Sequence, residues 1–101
     1  MTTKDVNAAI WAIVSPESVK RGILGPMYTR SIDASMAVIA AKFDVLSSVE
    51  LFVECDRSGA VTNRCATLNT NCGDVFVGRA DTHAHALAIA LLAALEAETK
   101  P

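Results

Sequence analysis

The chain has 101 residues, of which 51% are hydrophobic and 20% are charged, and its net charge at pH 7 is -2. This length predicts one domain, residues 1–101, with a single core, and the composition excludes a disordered chain. The near-neutral charge excludes a protein that binds nucleic acid by neutralising its phosphates, so we expect no DNA or RNA partner.

The first predicted element is a helix over about residues 4–14. Its apolar residues recur at the helical spacing, and they are Val6, Ile10, Ile13 and Val14. A serine followed by Pro16 ends this helix and permits one further turn over residues 16–21, because proline is tolerated in the first turn of a helix. The glycine-flanked segment 22–26 is predicted to be a loop.

A second helix is predicted over residues 31–42. Ser31 is its expected N-cap, and Asp33 lies in the first turn, where a negative charge suits the helix dipole. The residues that repeat at the helical spacing are Ile32, Met36, Ile39 and Phe43. These residues are expected to form the buried side of the helix.

From about residue 49 the pattern alternates, which predicts strands. Residues 49–56 form the first strand, residues 60–68 its antiparallel partner after the turn at Gly59, and residues 75–79 a short third strand. A polar loop that contains Cys72 separates the last two. The order predicts a three-stranded antiparallel meander.

The final helix, from Thr82 to about residue 96, is the most apolar part of the chain. Residues 84–95 contain one polar residue, His85. A helix that is apolar on all sides must be covered by the rest of the protein or by a second copy. Phe52 and Phe76 alternate with other apolar strand residues, so both sheet faces carry apolar side chains. We predict an α+β fold of order α-α-β-β-β-α with helix–sheet–helix layering, or a dimer that covers the second face.

No targeting or membrane segment is expected. Residues 1–5 are polar, and residues 6–14 lack the charged start and cleavage pattern of a signal peptide. No apolar run reaches the roughly 18 residues of a bilayer-spanning helix. The three cysteines form no Cys-x-x-Cys pair, and an odd number suits a reducing compartment. We therefore expect a soluble protein of the cytoplasm that has no membrane partner.

Catalytic and metal sites are not indicated. His83 and His85 lie two positions apart at the start of a helix, so their side chains point to different sides, and we expect no metal. Cys72 precedes them as a potential nucleophile, but nothing in this spacing is diagnostic. No glycine-rich phosphate loop is present either. Because none of these features forms a convincing catalytic constellation, we predict no enzyme and no cofactor.

Two segments have the residues of an anion site. Arg79 precedes the start of the final helix, where Asp81 or Thr82 is the cap, and backbone N–H groups at such a start suit a phosphate. Arg30 and Tyr28 precede the second helix, and a tyrosine can stack on a base while an arginine pairs with a phosphate. In both segments simple helix capping is the alternative explanation.

The same segments resemble a known family. Residues 28–35 read Tyr-Thr-Arg-Ser-Ile-Asp-Ala-Ser, and residues 79–82 read Arg-Ala-Asp-Thr before an alanine- and leucine-rich helix. This pattern, over about residues 26–97, is similar to the phage ABA sandwich domain family. That family is in turn similar to viral anti-Thoeris sponge proteins, which are oligomers that sequester cyclic ADP-ribose signals of bacterial immunity at a subunit interface.

The resemblance implies a small phage or prophage protein of the host bacterial cytoplasm that forms a homo-oligomer. It implies anti-defence sequestration of a phosphate-bearing cyclic nucleotide without catalysis. The residues that would hold this small-molecule ligand are Arg30 and Arg79 for phosphates, Tyr28, Phe76 or Phe52 for the base, and Thr82 and Ser31 at the helix starts. Related sequences carry an arginine inside the final helix, where this chain has Leu91.

Two alternatives stay open at this stage. The protein could be an adaptor or inhibitor that docks on another protein through its apolar C-terminal helix, or an accessory structural protein of the phage. Sequestration predicts that the arginines converge on one pocket, in one chain or across subunits. Docking predicts an exposed apolar patch with the arginines scattered.

Overall fold

The structure is a computed structural model that describes residues 2–43, 48–70 and 73–99. The elements are α1 (Thr3–Val14), α2 (Pro16–Lys20), a 3₁₀ turn (Tyr28–Arg30), α3 (Ile32–Lys42), β1 (Ser48–Cys55), β2 (Val61–Asn69), β3 (Val75–Ala80) and α4 (His83–Thr99). The predicted α+β class and element order are confirmed. Cys72 lies outside the described residues. None of the helices in the described parts of the chain has the length and apolarity needed to cross a bilayer.

Helix α1 begins at a capping box formed by Thr2 and Asp5. Thr2 accepts a hydrogen bond from the backbone N–H of Asp5 at 3.2 Å, and the Asp5 carboxylate accepts one from the Thr2 backbone N–H at 3.4 Å. This reciprocal capping box satisfies two N–H groups that the helix leaves without partners. Val6 and Ile10, one turn apart, point into the core and are buried.

The strands form the predicted meander in the order β1-β2-β3, with both pairs antiparallel. In the turn between β1 and β2, the Asp56 carboxylate accepts hydrogen bonds from the backbone N–H groups of Ser58 and Ala60. Gly59 adopts a φ of 88°, which few other residues tolerate. The register shifts at a bulge between Glu54 and Cys55, just before this turn.

Helix α4 occupies the centre of the molecule. It packs against β2 and β3 on one side and against α1, α3 and the 3₁₀ turn on the other. The buried residues of α4 are Ala86, Leu87, Ala88, Ala90, Leu91, Leu92, Ala94 and Leu95. The covering that the sequence requires for this helix is therefore provided within one chain.

The layers consequently stack as sheet, α4, and then α1 with α3, which differs from the expected helix–sheet–helix layering. Because α4 is apolar on all sides, α4 rather than the sheet takes the middle position. Each helix layer lies on the same side of the sheet, and no described helix covers the opposite face. This uncovered surface is called the open face below.

The close approach of α4 to the sheet depends on Gly78 in β3, which is buried. A Cβ atom at this position would overlap the carbonyl oxygen of Ala86 and would lie 3.0 Å from the backbone nitrogen of Ala90. The absence of a side chain lets the helix backbone rest directly on the strand. This contact fixes how deep α4 sits.

The buried side of α3 differs from the prediction. Val38 and Ile39 are buried and Ile32 is half-buried, whereas Met36 is 40% exposed. Ser35 occupies the fully buried position next to α4 instead of Met36. Small residues at this contact let the two helices approach closely, and the larger Met36 turns to the outside.

Candidate functional site

The open face is built from alternate residues of the three strands. In β3, the buried Gly78 and half-buried Phe76 lie on the side of α4, so Val75, Val77 and Arg79 lie on the open side. The pairing of the strands shows which residues of β1 and β2 lie on the same side. The residues aligned with it are Glu50, Phe52 and Glu54 in β1 and Asn63, Cys65 and Thr67 in β2.

One cross-strand row of the open face contains an aromatic ring and a guanidinium group. Phe52 pairs with Cys65, and Cys65 pairs with Arg79. The Phe52 residue is 40% exposed, and the Arg79 side chain is 54% exposed. Cys65 lies fully buried between them, and this burial raises the pKa of its thiol. The row spans two interstrand spacings, about 10 Å.

Arg79 forms an ion pair with a neighbouring carboxylate. Its Nε donates to Oε1 of Glu54 at 2.9 Å, and Asn63 donates to the same oxygen at 3.3 Å. The hydrogen bond from Arg79 is the main cause that lowers the pKa of Glu54 below its ordinary value. The pair is largely exposed, so water and salt weaken it and an anion can compete for the guanidinium.

The open face also carries apolar side chains that are exposed in the described part of the chain. Val77 is 40% exposed and lies beside the row formed by Phe52, Cys65 and Arg79, and Val75, one row further along β3, is 57% exposed. The sequence pattern predicted apolar residues on both sheet faces, and the structure confirms this. Exposed clusters of this kind are typical of surfaces that bind a partner.

The two predicted phosphate ligands do not converge within one chain. Arg30 is exposed in the 3₁₀ turn, which packs on α4 and on the outer helices. Arg79 points away from α4 on the open face. The sheet and α4 therefore lie between the two arginines, and a site that uses both requires at least two chains.

The predicted base platforms are also separated. Tyr28 is 1% exposed, packed in the core near α1 and α4, and this burial raises the pKa of its phenol. A base therefore has no access to this ring in the structure, and the role of Tyr28 as a base platform stays a prediction. Phe76 packs towards the core on the opposite side of β3 from Arg79. Phe52 is the aromatic residue that shares a face with that arginine.

The two predicted hydroxyl ligands cap helices. Ser31 accepts a hydrogen bond from the backbone N–H of Ala34 at 3.1 Å, which confirms it as the N-cap of α3. Thr82 accepts one from the backbone N–H of His85 at 3.1 Å, so the threonine takes the capping role at the start of α4. An accepting hydroxyl oxygen leaves its own proton free to donate, so capping does not prevent contact with a ligand.

The two histidines and Leu91 are the remaining residues that the sequence singled out. His83 Nε2 lies 3.0 Å from the carbonyl oxygen of Phe52, and the half-buried His85 has a shielded Nε2. Among the described residues, no group of three or more histidine, cysteine or acidic side chains is placed to hold a metal ion. Leu91, the position at which the resemblance to the phage family implies an arginine, is fully buried in α4, so this position packs the core.

Most of the apolar surface of helix α4 lies inside the molecule. Its side chains are buried or half-buried from His83 to Leu95, and residues 96–98 are exposed. Docking of an adaptor through this helix stays a prediction, and in this structure the apolar side chains that it would use pack in the core.

Comparison with known proteins gives no further constraint, and the resemblance to the phage ABA sandwich family stays a prediction. No protein-family model, no curated protein and no solved structure matches this chain.

Proposed function

We propose that the protein is a non-enzymatic homo-oligomer that binds and sequesters a phosphate-bearing cyclic nucleotide signal of host immunity. The site is the open face of the sheet, and the place of action is the host bacterial cytoplasm of a phage or prophage. The observation that carries the proposal is the row in which Phe52 and Arg79 flank Cys65 on one exposed face. The resemblance of residues 28–35 and 79–82 to the phage family supports the ligand class.

The chemistry of this row suits a nucleotide. An arginine guanidinium offers a planar set of N–H donors to phosphate oxygens, and an exposed phenylalanine ring stacks on a base. The ligand phosphate must compete with Glu54 for Arg79, because those side chains are already 2.9 Å apart. Removing the negative charge of Glu54 is therefore expected to tighten nucleotide binding.

A second copy of the chain closes the site in this proposal. Phe52 and Arg79 lie exposed on one side of a sheet, and an exposed surface buries too little of a small ligand for tight binding. Val77 beside the row and Val75 beyond it supply apolar area, and a second copy would remove it from water. Arg30, on the helical side of the molecule, can contribute only from another subunit.

Isothermal titration calorimetry with cyclic dinucleotides, cyclic trinucleotides and ADP-ribose isomers tests the proposal. Arg79→Ala is expected to weaken binding by about 10- to 100-fold, the range for loss of hydrogen bonds to a charged group. Arg57→Ala, in the exposed turn between β1 and β2, is the matched control and is expected to bind as the wild type does. Glu54→Gln is expected to bind more tightly.

The outcome that refutes the proposal is equally specific. Unchanged affinity in both Arg79→Ala and Arg30→Ala would show that neither guanidinium holds the ligand. Circular dichroism spectra that match the wild type would establish that these variants are folded. If no compound on the panel binds, the exposed valines favour a protein partner on the open face.

A further inference from the structure

A second candidate site lies on the other side of the molecule, between α1 and the loop that joins α2 to the 3₁₀ turn. It is a half-open groove of about 550 Å³, a volume within the range of small-molecule sites. Trp11 lines the groove from α1, and Ile23, Leu24 and Met27 line it from the loop. Each of these loop side chains is at least 50% exposed.

The walls of the groove are held in place by specific contacts. The Trp11 indole N–H donates to the backbone carbonyl of Ile23 at 2.9 Å. Gly25 packs against the same ring so closely that a Cβ atom there would overlap it. The loop is therefore fixed against Trp11, and the groove exists before any ligand binds.

Two polar side chains that line the groove, Asn7 and Trp11, already have partners in the protein. The Asn7 amide donates to the Thr29 hydroxyl at 3.1 Å and accepts from the Thr29 backbone N–H at 2.9 Å. The Trp11 N–H is bonded to the loop. A polar ligand would lose its hydration here without gaining these bonds, so the main part of the occupant must be apolar.

A positive charge at one end of the groove indicates that the occupant also carries a negatively charged group. Lys4, on the first turn of α1, is the charged residue among those that line the groove. The nearby Asp5 carboxylate is bonded to Thr2 in the capping box and does not line it. The groove thus has an apolar body with a cation at one end.

We propose that this groove binds a long-chain carboxylate, with the aliphatic chain over Trp11 and the carboxylate beside Lys4. The proposal is independent of nucleotide binding on the open face. It uses a different surface, different residues and a ligand without a base. The competing occupant is the highly exposed Leu24 of a second copy of the chain.

Fluorescence of Trp11 reports on the groove directly, because it is the one tryptophan in the sequence. Titration with decanoate is expected to shift the emission saturably. Decanol is expected to bind without needing the lysine, and decyltrimethylammonium is expected to bind more weakly than decanoate. Lys4→Ala should weaken decanoate binding by about two- to fivefold, the effect of one exposed ion pair, and leave decanol unchanged.

Replacement of either of two alanines in α1 by phenylalanine provides a matched pair of variants. Ala8 lines the groove and Ala12 does not, and both are exposed. Ala8→Phe is expected to fill the groove and abolish binding of decanoate and decanol, whereas Ala12→Phe should bind both as the wild type does. Equal binding by the two variants would overturn the proposal.

Two further results would also overturn it. The first is equal affinity for decanoate and decyltrimethylammonium, which would show that Lys4 does not select the head group. The second is a dimer that Leu24→Asp converts to a monomer, with no saturable response of the wild type to decanoate. That result would assign the groove to contact between copies.

Discussion

Replacement of Gly78 by alanine tests how α4 is seated on the sheet. The added methyl group would overlap the Ala86 carbonyl oxygen and lie 2.9 Å from the Ala86 carbonyl carbon and 3.0 Å from the Ala90 nitrogen. All three are backbone atoms, so no side-chain rotation relieves the overlap. The helix must move away from β3.

The magnitude follows from two opposing effects. Overpacking of a close-packed interior costs about 3 kcal/mol at the upper end of its usual range. Replacing glycine by alanine also stabilises the protein by about 0.5 to 1 kcal/mol, because it reduces the conformational freedom of the unfolded chain. The expected net loss is about 2 kcal/mol, which corresponds to a fall in Tm of roughly 8–16 °C for a domain of this size.

Urea unfolding followed by circular dichroism measures this loss. Gly59→Ala is the control, because nothing lies within 4 Å of a Cβ atom at that position and only its positive φ is strained. The control is expected to lose about 1 kcal/mol. A free energy of unfolding for Gly78→Ala within about 0.5 kcal/mol of the wild-type value would refute the close contact between α4 and β3.

Three further predictions concern the core and the open face. Ser35→Ala is expected to raise the free energy of unfolding by about 1 kcal/mol in urea melts, because the buried Ser35 hydroxyl has no partner among the described residues; a loss of stability would contradict this. Asn7→Ala is expected to cost about 2–4 kcal/mol, because it leaves two buried groups of Thr29 unpaired, and an unchanged Tm would contradict it. Glu54→Gln is expected to lower stability more at pH 7 than at about pH 3, which is below the ordinary pKa of a glutamate. Since Arg79 depresses the native pKa of Glu54, the stabilisation is present above the unfolded pKa and is lost as pH falls through the native one; an equal effect at both pH values would contradict this.

The elements of this fold could be predicted from local sequence patterns, because each pattern depends on residues a few positions apart. The alternation in the three strands and the apolar run of α4 identified the class and order. The layering could not be predicted in this way. Periodicity shows that a side must be covered, but it does not show whether a sheet, a helix or a second chain covers it.

The candidate site was partly predictable for a related reason. Alternation along β1 groups Phe52 with Glu50 and Glu54, and Arg79 was singled out by its position before the final helix and by the resemblance. Their common row depends on the register of both strand pairs, which includes the bulge beside Glu54. The groove at Trp11 had no signal in the sequence, since the hydrogen bond to Ile23 joins residues twelve positions apart.

Native mass spectrometry of the purified protein, alone and with the nucleotide panel, tests whether the open face of an oligomer sequesters a nucleotide. We expect an oligomer that gains the mass of one nucleotide at each interface, and we expect Arg79→Ala to lose this gain. A monomer, or an oligomer that binds none of the nucleotides, would contradict the claim that the open face sequesters a nucleotide signal.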